Sequence, residues 1–265
     1  MKNILVPIGT SENAVHTLQY AVDFAKDFIA DVYVMQAYTV LATMGMNSNV
    51  HEKVAQSSSG QMEEVIAQID SKGVQIKILT YEGSVLEAIA AADKELKLDL
   101  IIMEPKSTDI RDELYLGKTS GSIIKQTDIP ALIVPEGCAY ESMNLILTAF
   151  KSGIVKNRST LARLKEIKEK FDAQVTLLLV KTPGYEEEDL VIDSGLKELS
   201  TEVLKTDNAT TFQGVLEHFQ SVNPKLLCVF RRKRGFFSKL LEKNVILKRD
   251  FHCSIPLLVL SVKKY

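Results

Sequence analysis

Two rhythms of apolar residues alternate along the chain. Lys2 to Ile8 is an apolar run of strand length. After Ser11-Glu12, Val15, Leu18, Val22, Ala25 and Ile29 recur at spacings of three and four, which predicts a helix. Val32 to Ala37 is a second strand. Met44 to Gly60 follows neither rhythm and contains Ser57-Ser58-Ser59-Gly60, so it is expected to be a loop leading into a helix over 61–71. Val74 to Thr80 is a third strand. Ser84-Val85-Leu86-Glu87 has capping-box spacing and opens a helix to about Leu96. Leu98 to Met103 is a nearly continuous apolar run, which predicts a strand buried on both faces. A helix over Gly117–Gln126 and a strand over Pro130–Val134 complete this half.

The pattern then repeats. Asp99–Val134 can be laid over Lys225–Leu260 without a gap, at an offset of 126. Leu100-Ile101-Ile102-Met103 falls on Leu226-Leu227-Cys228-Val229, and Ile129-Pro130-Ala131-Leu132-Ile133-Val134 on Ile255-Pro256-Leu257-Leu258-Val259-Leu260. At the other end, Asn3-Ile4-Leu5-Val6 matches Asn144-Leu145-Ile146-Leu147 at an offset of 141. A repeat of this length is a whole domain. The second copy has lost residues in its middle. It reads as strand 144–149, a helix from Ser159 to Phe171, strand Val175–Val180, one short helix within Glu186–Glu198, and a weak strand at Glu202–Lys205. A helix capped by Asn208 and the strands Leu226–Phe230 and Pro256–Val262 follow.

Strands alternating with helices predict parallel sheets with right-handed crossovers. Two α/β domains are expected, over 1–137 and 142–265, joined by a short linker. Their final strands, Pro130–Val134 and Pro256–Leu260, are expected to pair as an internal pseudo-dimer. Ligands on such sheets sit at the carboxyl ends of strands. The candidate loops are therefore Pro7–Ser11, Met35–Thr39 and Glu104–Lys118.

Charge adds an asymmetry. Residues 1–135 hold 11 Lys/Arg and 18 Asp/Glu, and the remainder 21 and 16. Halves of opposite sign favour docking on each other, although unequal drift of solvated surfaces gives the same totals. No run of eighteen apolar residues is present, so no membrane span is expected. The apolar run that opens the chain is too short for a signal-peptide core. Cys138, Cys228 and Cys253 are unclustered and suggest neither a disulfide framework nor a zinc site, which points to a reducing cytoplasm.

Ile4-Leu5-Val6-Pro7, Glu82-Gly83-Ser84, the Asp99–Met103 strand and the closing Ile129–Val134 together resemble tandem universal stress proteins, over nearly the whole chain. The resemblance implies two tandem doubly wound domains of the adenine-nucleotide alpha-hydrolase type. Each would have a mainly parallel five-stranded sheet, the second domain being reduced. It also implies a cytoplasmic stress-response role and, in many members, binding of ATP or AMP. Nucleotide binders of the family carry an acid after the first strand and a Gly-x2-Gly-x9-Gly-Ser/Thr motif after the fourth. Here Gly9 replaces the acid, Glu104 and Ser107 replace the first two glycines, Gly117 keeps the third, and Lys118 precedes Thr119 and Ser120. A carboxylate at Glu104 would repel phosphate. Lys106, Lys118 and the amides of a helix starting at Gly117 pull the other way. The candidate ligand site is Pro7, Ile8, Gly9, Met103, Lys106, Ser107, Gly117, Lys118, Thr119 and Ser120, for ATP, AMP or a smaller anion. In the second copy the three glycine positions hold Phe230, Lys233 and Lys243, so no nucleotide is expected there.

Other signals have simpler readings. Gly117-Lys118-Thr119 imitates the end of a P-loop, but Asp112 stands where its first glycine belongs. Arg231 to Arg234 lacks an aromatic platform for nucleic acid and reads as a solvated loop meeting acids of the first domain. The four histidines show no metal spacing, and no nucleophile has an adjacent base. The expected function is non-enzymatic: binding of a ligand in the first domain or of a protein partner, with neither nucleic acid nor membrane as partner. Homodimerisation stays open. The alternative is a functional ATP- or AMP-binding protein that hydrolyses ATP slowly.

Overall fold

A computed structural model describes residues 1–9, 11, 13–39, 49–105, 114–231, 246–248 and 251–262, with backbone only for 49–52 and 247. The first half runs β1 (Asn3–Pro7), α1 (Ala14–Phe28), β2 (Asp31–Tyr38), α2 (Asn49–Ile66), β3 (Ile76–Glu82), α3 (Val85–Leu96), β4 (Leu100–Met103), β5 (Leu114–Leu116), α4 (Lys118–Gln126) and β6 (Ala131–Ile133). The second runs β7 (Leu145–Phe150), α5 (Ala162–Phe171), β8 (Gln174–Lys181), α6 (Ser194–Leu199), β9 (Glu202–Asp207), α7 (Thr211–Val222), β10 (Leu226–Arg231), β11 (Ile246–Leu247) and β12 (Leu257–Ser261). Short 3-10 turns lie at Arg158–Leu161 and Glu187–Leu190.

Ten strands form one sheet in the order β3-β2-β1-β4-β6-β12-β10-β7-β8-β9. Each half contributes five parallel strands, and the halves meet where β6 and β12 pair antiparallel, Leu132 opposite Leu258. Alternate strand residues feed the two faces. Ile4, Val6, Ile102, Ile146 and Leu226 lie in one core; Leu5, Ile101, Met103, Leu147 and Leu227 lie in the other. Both cores run through the seam, so the halves share one hydrophobic interior.

Strand register corrects the sequence repeat by one residue. Ile4 pairs with Leu100, and Ile146 pairs with Leu226. Ile4 therefore corresponds to Ile146, not to Leu145. A shift of one residue would exchange the two faces of β7, and the two-sided core forbids it. Helix ends give the next correspondence. Ala30 N–H donates to Ala25 O and Ala173 N–H to Lys168 O, so Phe28 matches Phe171 and Tyr20 matches Arg163. Phe28 and Phe171 meet edge to face at 5.9 Å, as counterparts near a pseudo-twofold axis should.

Three element predictions differ. Helix α2 begins at Asn49, where a loop was expected to Gly60, and ends at Ile66. Ser58 and Met62 are buried one turn apart, so the serine cluster lies within a packed helix. Helix α7 is capped by Thr210, whose side chain accepts from Gln213 N–H; Asn208 instead donates to Thr206 and Glu217. The acidic stretch 186–198 is a 3-10 turn followed by α6, where one short helix was expected. An added two-stranded sheet, β5 with β11, also crosses between halves, and Tyr115 stacks edge to face on Phe251 beneath it.

Ion pairs cross the junction in the sense that the charge asymmetry predicts. Arg163 reaches Asp99 at 3.2 Å, and Arg231 reaches Asp128 at 2.8 Å. Arg231 also donates to the carbonyls of Lys125 and Thr127. The Met1 amine, paired with Glu166 at 3.1 Å, runs the opposite way. Arg232 to Arg234, and the Phe236–Leu241 stretch beyond them, lie outside the described residues.

Candidate functional site

The order β3-β2-β1-β4-β6 places a switch point between β1 and β4. Crossovers leave the sheet in opposite directions there, and the carboxyl ends of the strands part to form a crevice. A cavity of about 240 Å³ occupies it. Six of the sequence candidates come together in its wall: Pro7, Ile8, Gly9, Met103, Thr119 and Ser120. Gly117 and Lys118 sit at the head of α4 but do not line the cavity. Gly117 N–H donates to Pro105 O at 2.9 Å, and Lys118 is exposed. Lys106 and Ser107 lie outside the described residues.

The fourth-strand loop and α4 give the site its chemistry. Gly117 caps α4 without a side chain, so the N-cap residue supplies no side-chain acceptor to the amides of the first turn. Ser120 Oγ donates to Glu104 O at 3.0 Å and fixes this turn against the end of β4. The Glu104 side chain is 5% exposed and lines the cavity. Ser11 Oγ lies 2.7 Å from each of its carboxylate oxygens and donates to them. Burial raises the pKa of this carboxyl; the serine hydrogen bond opposes the shift, and Glu136 adds to it. An acid thus occupies the space that a glycine would leave for an approaching anion.

Met35, Gln36 and Ala37 from β2, with Val85 and Ile123, complete the wall. Gln36 Nε2 donates to Gln61 Oε1 at 3.0 Å, while Gln36 Oε1 is buried and, among the described residues, has no donor. A buried acceptor left unpaired is costly, and a ligand N–H or O–H would relieve it. Sequence reasoning reached this loop, Met35–Thr39, but not the residue. Polarity at the carboxyl end of an otherwise apolar strand was the available signal. The Ser11–Glu104 pair was not anticipated, because 93 residues separate the partners.

Among the described residues, the equivalent place in the second half is filled. Phe150 and Phe230 correspond to Ile8 and Glu104, and their buried rings meet at 6.1 Å. The segment after β8 then closes over the end of β7. Gly153 N–H donates to Asp189 O at 2.8 Å, and Asp193 N–H to Gly153 O at 3.0 Å. In the second half, burial raises the Cys228 thiol well above the ordinary value and that of Cys253 to about 12, which disfavours a thiolate at either. Among the described residues, no group of three or more His, Cys, Asp or Glu could hold a metal ion, and no helix is long and apolar enough to cross a membrane.

Comparison with known proteins agrees with this architecture. The model of the universal stress protein family matches residues 1–135. A universal stress protein of Methanocaldococcus jannaschii is 24% identical over 138 residues, covering 50% of this chain and 81% of the relative. A universal stress protein structure from Archaeoglobus fulgidus superposes with a TM-score of 0.71 at 15% identity, covering 98% of each chain. A functionally unknown Pseudomonas aeruginosa protein gives a TM-score of 0.57 at 13% identity, covering 99% of this chain and 93% of that one. These structures share the fold across both halves, and the family match spans half of the sequence. The chain belongs to the universal stress protein family.

Proposed function

We propose that this protein is a non-catalytic, ligand-responsive member of its family, with one working cleft in a first domain over 1–137 and a closed second domain over 142–265. The single observation that carries this reading is Glu104, a buried carboxyl in the cleft wall, held by Ser11, where the family motif has its first glycine. Ionised, it opposes any phosphate seated beside it. Cavity size supports the same reading. About 240 Å³ is below the roughly 300–1,000 Å³ typical of pockets for drug-sized ligands, and suits a nucleobase-sized body better than a nucleoside triphosphate. Met35 and Met103 offer apolar contact, and Gln36 Oε1 offers an acceptor. Binding would alter the β1, β2 and β4 ends, and its output is conformational or a change of partner, not turnover.

Equilibrium dialysis of the purified protein against adenine, adenosine, AMP, ATP and inorganic phosphate tests this. Adenine or adenosine should bind more tightly than ATP, and Glu104→Gly should narrow or reverse that order. Bound ATP, ADP or AMP in a mass spectrum of the native protein would refute it. The first-turn amides of α4 favour the second reading, ATP binding with slow hydrolysis. That reading requires magnesium-dependent ATP turnover that falls in Lys118→Ala.

A further inference from the structure

Charge in the cleft between β1 and β4 is unbalanced. Among the described residues of its wall, Glu104 carries the one full charge, and its side chain is 5% exposed. Ser11 Oγ lies 2.7 Å from both carboxylate oxygens, but a hydroxyl has a single proton to give. An ionised carboxyl accepts at about four lone-pair positions, so most of its capacity stays open. Gln36 lines the same cavity, and its Oε1 is a second acceptor with no donor among the described residues. Two side-chain donors of the wall are committed: Ser120 Oγ to Glu104 O at 3.0 Å, and Gln36 Nε2 to Gln61 Oε1 at 3.0 Å. Thr119 adds a hydroxyl that can accept as well as donate.

The opposing attraction is smaller. The first-turn amides of α4 stand for roughly +0.5 of an elementary charge, against one full negative charge on an ionised Glu104. Burial opposes that ionisation, and a cation beside the carboxyl favours the charged form, releasing any bound proton to solvent. Met35, Met103 and Ile123 give apolar sides against which a flat ring packs. Building on the phosphate-averse cleft of the proposed function, which this inference presupposes, we infer that the site selects a planar organic cation of single-ring size, an amidinium or protonated amino-heterocycle, whose N–H groups meet Glu104 and Gln36. Planarity suits the acceptors, because an amidinium presents two parallel N–H groups to a carboxylate. Volume agrees: about 240 Å³ suits one ring better than a nucleoside triphosphate.

Benzamidine, benzamide and benzoate share one shape and differ in charge. Each is titrated into the full chain near neutral pH by isothermal titration calorimetry. Benzamidine should bind at least about tenfold more tightly than benzamide, and benzoate should not bind detectably. Glu104→Gln, checked for folding by circular dichroism, should erase the preference for benzamidine, and Gln36→Met should weaken benzamidine several-fold. Equal binding of benzamidine and benzamide by the parent, or measurable binding of benzoate, would overturn the inference without any variant. So would a benzamidine preference that survives Glu104→Gln, which would place the cation elsewhere. Dialysis against adenosine and ATP separates the two claims. Adenosine bound above ATP with no benzamidine preference sinks the cation and leaves the proposed function standing, whereas ATP bound above adenosine sinks the reading beneath it.

Discussion

Replacing Gly153 by alanine is the sharpest test of how the second cleft is closed. A Cβ built there would lie 2.4 Å from Val191 O, 2.7 Å from Ile192 Cα and 2.9 Å from Val191 C. These are backbone atoms, so no side-chain rotation relieves the clash. The segment over β7 must lift. Overpacking of this kind costs about 1–3 kcal/mol. Lifting also strains two backbone hydrogen bonds, between Gly153 and Asp189 and between Asp193 and Gly153, each worth about 0.5–1.5 kcal/mol net. The reduced freedom of alanine in the unfolded chain returns about 0.4–1 kcal/mol. The expected net loss is about 2–4 kcal/mol, a large part of the roughly 5–15 kcal/mol that holds a typical domain. Urea unfolding followed by circular dichroism measures it, and hydrogen exchange at the Gly153 and Asp193 amides should quicken in parallel. Gly60→Ala is the control: its Cβ would meet nothing within 4 Å, and its place in α2 predicts a gain of up to about 1 kcal/mol. A Gly153→Ala protein within about 0.5 kcal/mol of the parent would refute the closure.

Other tests are simpler. Ile29 caps α1 in the left-handed region, at φ 52°, with its side chain 92% exposed. Left-handed backbone costs a β-branched residue about 1–2 kcal/mol, so Ile29→Asn should raise the thermal midpoint. Glu104 has a raised pKa in the fold, so the native state holds its proton more tightly than the unfolded chain does. Stability should therefore fall as pH rises from the ordinary carboxyl value of 4.5 through the raised folded value. Urea midpoints from pH 4 to 8 should show that fall in the parent and lose it in Glu104→Gln.

The fold was legible because strands buried on both faces announce themselves. Leu100–Met103 and Leu226–Val229 carry four consecutive apolar residues each, and proline marks the entry to both final strands. Their antiparallel pairing follows from two edge strands that would otherwise stay exposed. Helix α2 was not legible as a whole. Its polar outer face hides Ser58 and Met62, whose spacing matters only once β2 and β3 lie beneath them. The one-residue error in the repeat has a similar cause. Asn3 and Asn144 look alike, but sheet registry follows the inward residues Ile4 and Ile146. Gly9, after the end of β1, and Ser120, in the first turn of α4, are named by strand-end position and the family motif, and both line the cavity. The Ser11–Glu104 contact, the orphan oxygen of Gln36 and the closure over Gly153 join distant segments, and no local pattern encodes them.

The two halves began from one plan, and their differences concentrate where the plan faces solvent. Core positions correspond at many places, as where Ile4 and Ile146, or Leu100 and Leu226, fill equivalent space. At the carboxyl edge the match ends: Ile8 and Glu104 line a cavity where Phe150 and Phe230 close one. At the junction it ends again, since Tyr20 receives the linker while Arg163 pairs with Asp99 and Glu166. The sheet of the second half completes that of the first. Without β12, strand β6 would be an exposed edge. The second half therefore supplies the strand that pairs with β6 and completes the sheet.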